Sequence, residues 1–89
     1  MTETDLELQR LREQIAATDQ EILELVNRRI ELVREIRARK EEQGIAFLDA
    51  AQEDRLLARL RELNQGPMSA EGVDRLFREI LELVKRELD

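Results

Sequence analysis

No cysteine and no histidine occur among the 89 residues. The first absence excludes disulfides and thiolate chemistry, and the second removes the usual proton shuttle near neutral pH. Aromatic residues make up only 2% of the chain. No apolar run approaches the length of a membrane span. The opening MTETDLELQR is acidic and polar, and does not read as a signal peptide. A basic excess is missing too. The formal net charge is −6, and a general nucleic-acid binder needs a basic face to displace counterions. These readings predict a cytoplasmic protein with no nucleic-acid partner, no membrane segment, no cofactor and no metal.

What is present is charge and aliphatic side chains. Charged residues are 40% of the chain and hydrophobic residues 42%, a balance typical of long helices and coiled coils. The length suits one domain, 1–89, at the size where a single core is marginally sufficient. The first helix is predicted over about 5–43, with no Gly or Pro inside it and Gly44 as its stop signal. A second opens at Asp49 as N-cap and runs to about residue 63. NQGPMS (64–69) is a loop by its Gly-Pro and Asn content. Ser69 then caps a third helix that ends near residue 88. The fold class is all-α: one long helix and two shorter ones.

About 38 residues of helix form a rod of roughly 57 Å, whereas a compact 89-residue domain has a radius of gyration of about 12 Å. Two shorter helices cannot cover such a rod. The expectation is an intertwined dimer in which the long helices of two chains pack together.

The segment NRRIELVREIRARK (27–40) sharpens the problem. One row along the first helix reads Leu8, Leu11, Ile15, Thr18, Ile22, Leu25, Arg29, Leu32, Ile36. With the neighbouring row it forms a broad apolar face, interrupted by Arg12, Asp19, Arg29 and Lys40. The plain reading is that these side chains reach solvent at the edge of the face, or pair within the protein. Arg29 resists it most, lying mid-helix between Leu25 and Ile36. A guanidinium left there without a partner costs several kcal/mol, so it calls for an anion from the protein or a ligand. The second helix shows the opposite sign on its inward row: Asp49, Glu53, Leu56, Leu60, Leu63. Asp49 is explained as a cap, and first-turn acidity suits the helix dipole, but Glu53 lies a turn inside. A pocket holding Arg29, Lys40 and Arg12, edged by Glu53, would suit a small anion that also carries a hydroxyl, because an arginine fork matches a carboxylate.

Three segments in order resemble the all-helical (type II) class of chorismate mutases: LREQIAATDQEILELVNRRIELVREIRARK, IAFLDAAQEDRLLARL and LFREILELVKREL. The resemblance implies an intertwined homodimer with two sites, each built from both chains, and the dicarboxylate chorismate as substrate. It implies that Arg12 reaches a substrate carboxylate from the partner subunit, and that Arg29 binds one within its own site. Lys40 would meet the ether oxygen and a carboxylate. Glu53 would take the substrate hydroxyl, with Asp49 beside it. The rearrangement of chorismate to prephenate is a single pericyclic step that needs neither His nor Cys. Three positions depart from the family pattern. Gln52 stands where an arginine is usual, Val84 where a small hydroxyl residue is usual, and Leu88 where the third helix supplies a second donor to the ether oxygen. The carboxylate-binding cations are kept, which predicts a competent pocket and leaves the activity open to reduction.

Rival readings are a helical dimerisation or regulatory module whose embedded charges set register, or a same-fold isochorismate pyruvate lyase or aminodeoxychorismate mutase. Phe47 and Phe77 are assigned to packing, Phe77 with Val73, Ile80 and Val84.

Overall fold

The computed structural model describes residues 2–88, and three helices account for most of them: α1 (Glu3–Gln43), α2 (Ala50–Leu63) and α3 (Ala70–Leu88). α1 begins two residues earlier than its periodicity predicts, because Thr2 rather than a later residue caps it. The Thr2 hydroxyl accepts from the Asp5 amide, and the Asp5 carboxylate accepts from the Thr2 amide, which makes a capping box. At the other end Gly44 takes φ 68°, its amide donates to Glu41 and the Ile45 amide donates to Lys40. This is a Schellman stop, at a conformation that glycine adopts without a Cβ penalty. Asp49 caps α2 by accepting from the Gln52 amide at 3.1 Å. The Ser69 hydroxyl accepts from the Gly72 amide at 3.0 Å at the start of α3. Each helix therefore starts on its own local chemistry, and α1 stops on it as well.

α1 is an unbroken rod. The chain measures 63 × 25 × 17 Å, and its radius of gyration is 17.7 Å, well above the roughly 12 Å of a compact chain of this length. α3 packs against both α1 and α2. α2 and α3 run antiparallel: Glu53 near the start of α2 pairs with Lys85 near the end of α3, while Arg61 near the end of α2 pairs with Asp74 near the start of α3. Arg34 of α1 donates to the Glu87 carbonyl at 3.4 Å, tying the end of α3 to the rod.

The core is small. Among the described residues only Leu57, Val73 and Val84 are buried. α2 turns a different residue inward from the one its inward row predicts: Leu57 is buried and Leu63 is exposed, because Leu57 faces Arg78, Leu81 and Glu82 of α3. α1 contributes no buried residue. Its apolar face stands open within one chain, with Ile15 at 60% and Leu25 at 68% exposure. Among the described residues, no helix is long and apolar enough to cross a membrane.

Candidate active site

Towards the C-terminal end of α1 the three helices line a cavity of about 290 Å³, at the small end of ligand pockets, which run from about 300 Å³ upward. α1 lines it with Arg29, Val33, Ile36 and Lys40. Their spacings of four, three and four residues put them on one helical face. The connection after Gly44 adds Phe47, Leu48 and the cap residue Asp49. α2 supplies Gln52, Glu53 and Leu56, and α3 supplies Leu81, Val84 and Lys85.

Of the residues singled out by sequence, the structure brings Arg29, Lys40, Asp49, Gln52, Glu53 and Val84 to this one cavity. Two do not reach it in the same chain. Arg12 lies 17 positions before Arg29 on the same straight helix, roughly 25 Å away. Leu88 is half-buried, and it falls outside the cavity because the α3 wall ends at Lys85, almost a turn earlier. Val84 has a double part: it lines the cavity and, at 1% exposure, is also a core residue. Its aliphatic side chain offers the cavity an apolar wall and no hydroxyl.

The charges divide into committed and uncommitted groups. Arg29 is half-buried and has neither a hydrogen bond nor an ion pair with any described residue. Its charge is the anomaly that the helical rows expose, and no carboxylate among the described residues answers it. The Lys40 ammonium donates to the Phe47 carbonyl at 3.1 Å. An ammonium has three donors, so two remain for a ligand. Phe47, assigned above to packing, is part of the cavity wall. The Arg37 guanidinium sits 5.6 Å from its ring centroid, a cation–π distance that helps fix the connection.

On the opposite wall the acids are partly used. One Asp49 oxygen serves the α2 cap. Glu53 Oε1 is 2.7 Å from the Lys85 ammonium, and Glu82 Oε1 is 3.7 Å from it. The hydrogen bond to Glu53 holds the Lys85 pKa above the ordinary lysine value; the Glu53 and Glu82 charges reinforce it, and partial burial opposes it. Gln52 Oε1 accepts from Arg55 at 2.8 Å, which turns that side chain along its own helix.

Lys85 is the charged residue of the cavity that the sequence reading misses. Val84 and Lys85 follow Leu81 by three and four residues, which puts both on its helical face. Stepping four residues on from Leu81 finds it.

Comparison with known proteins bears on this arrangement. A family model described as chorismate mutase type II matches residues 11–87. Two solved structures of chorismate mutase from Thermus thermophilus are similar to the chain. Form II has 33% sequence identity and a TM-score of 0.87, over 92% of this chain and 93% of that one. Form I has 35% identity and a TM-score of 0.85, over 88% of this chain and 98% of that one. No curated protein matches the chain.

Proposed function

The chain belongs to the type II chorismate mutases, and we propose that the cavity above is its active site, completed by a second copy of the chain. The protein is an isomerase: it rearranges chorismate to prephenate on the route to phenylalanine and tyrosine. One observation carries the assignment of the site. The half-buried Arg29, with no partner among the described residues, faces the same cavity as the Lys40 ammonium.

The rearrangement breaks an ether C–O bond and forms a C–C bond in one step, with no covalent intermediate. The site therefore has two tasks: to hold the folded conformer of a dianion, and to stabilise negative charge at the ether oxygen. Arg29 takes one carboxylate through its planar fork. The two remaining Lys40 donors serve the second carboxylate and the ether oxygen, where charge builds up in the transition state. Glu53 has one oxygen left for the ring hydroxyl, and Asp49 stands beside it at the helix start. Val33, Ile36, Leu56, Leu81 and Val84 supply apolar walls. By thinning the water around these charges they strengthen each contact. Fixing the reactive conformer is itself an orientation effect that lowers the barrier.

The exposed apolar face of α1 supports the homodimer. The large aliphatic residues of its row, from Leu8 to Ile36, are open in one chain, and a second rod laid along them would bury them. In that dimer Arg12 of the partner subunit is the cation that enters each cavity. The proposed setting is the cytoplasm, which suits an exterior dense in charge. Purified protein is expected to convert chorismate to prephenate and to sediment as a dimer. Protein that leaves chorismate unconsumed would sink the assignment of the cavity. A monomer with full turnover would sink the shared site.

A further inference from the structure

We propose that Lys85 is a further substrate-binding residue, whose ammonium, steered by Glu53, donates to an anionic oxygen of the substrate. The inference rests on the cavity being the active site.

Its first support is position. Lys85 lines the cavity from α3, opposite Arg29 and Lys40 on α1. Its side chain is 31% exposed, so the ammonium is neither sealed in the core nor loose in solvent. The second is donor count. Of its three N–H groups one is engaged at 2.7 Å by Glu53. Glu82, at 3.7 Å, is beyond a good hydrogen bond. At least one donor is left to point into the cavity.

The third support is charge. Arg29, Lys40 and Lys85 give the cavity three positive charges, while Asp49 and Glu53 give it two negative ones. The balance within one chain is +1. Without Lys85 it is zero, and the Arg12 that the partner subunit adds in the proposed dimer would be the whole excess facing a doubly negative guest. The neighbouring α2 position does not make good the difference, because Gln52 is uncharged and its carbonyl oxygen is bonded to Arg55. Lys85 brings a cation to the wall beside that residue from the facing helix. The Glu53 contact then acts as a guide. It sets where the ammonium stands while leaving one carboxylate oxygen for the substrate hydroxyl.

The test is steady-state kinetics with chorismate on the dimeric protein, comparing Lys85→Gln, Lys85→Arg and Arg29→Ala with wild type, with a melting curve for each. Glutamine keeps a hydrogen bond to Glu53 and removes the charge. Lys85→Gln is expected to lose about 10–100-fold in kcat/KM, the range of a charge-assisted hydrogen bond, chiefly through KM. Lys85→Arg, which restores the charge, is expected to recover part of that loss. Lys85→Gln within twofold of wild type, beside a disabled Arg29→Ala, overturns the role of Lys85 and leaves the cavity assignment standing. Both variants at wild-type activity overturn the cavity assignment and Lys85 with it. A lowered melting temperature with unchanged kcat/KM reduces Lys85 to a structural ion pair. If the glutamine variant fails to fold, Lys85→Met carries the same comparison.

Discussion

Truncating Arg29 to alanine separates binding from architecture more cleanly than any other change in the molecule. The guanidinium is half-buried and has no partner among the described residues. Its removal strands no carboxylate and breaks no ion pair among the described residues. The stability cost is that of lost side-chain packing at a partly exposed site, on the order of 1 kcal/mol or less. Substrate binding loses far more. A two-pronged arginine–carboxylate contact comprises two charge-assisted hydrogen bonds of about 1.5–3 kcal/mol each, or about 3–6 kcal/mol together. At about 1.4 kcal/mol per factor of ten, kcat/KM should fall by roughly two to four orders of magnitude. Arg29→Lys keeps the charge and loses the fork, so it should fall between the two. The assay is the initial rate of chorismate loss over a range of concentrations, with helicity and sedimentation recorded on the same preparations. A folded Arg29→Ala dimer with kcat/KM within threefold of wild type would refute the reasoning. So would a variant whose whole loss of activity is matched by loss of dimer, since Arg29 would then hold chains together instead of substrate.

Other outcomes follow from the same geometry. Leu25→Glu places a charge in the middle of the open α1 face, where Leu25 is 68% exposed in one chain. Sedimentation should show assembly lost and turnover lost with it, and a dimeric, active variant would rule out that face as the interface. The Lys85 pair also predicts a pH dependence. Folding raises the lysine pKa above its ordinary value near 10.5, chiefly through the Glu53 hydrogen bond. The pair's contribution is therefore fully present below about pH 10.5 and is lost as pH rises through the higher folded value. Denaturant midpoints measured across that alkaline range should fall more steeply for wild type than for Lys85→Met, and parallel curves would show that the pair adds no linkage.

Much of this is legible in the residues. Helix boundaries are readable because each rests on a local signal: Gly44 at a left-handed stop, Asp49 and Ser69 at caps. The start of α1 reads two residues late because Thr2 and Asp5 make a capping box without the glutamate or glutamine that usually marks one. The α1 wall of the site is legible too, since Arg29 and Lys40 break a hydrophobic row whose period is fixed by the helix. The α2–α3 side is harder. Which of Leu56, Leu57 and Leu60 turns inward depends on the angle at which α3 crosses, and no local pattern encodes that angle. The Glu53–Lys85 pair joins positions 32 apart in sequence. It exists only once the antiparallel packing of α2 and α3 has set their register.

The straightness of α1 has a genetic consequence. Arg12 and Arg29 sit on one rigid rod, too far apart to serve a single cavity, so in the proposed dimer each subunit lends one arginine and keeps the other. Two crippled alleles, one missing Arg12 and the other missing Arg29, could then rescue each other when their products mix: the hybrid would carry one wholly intact centre beside one doubly broken centre.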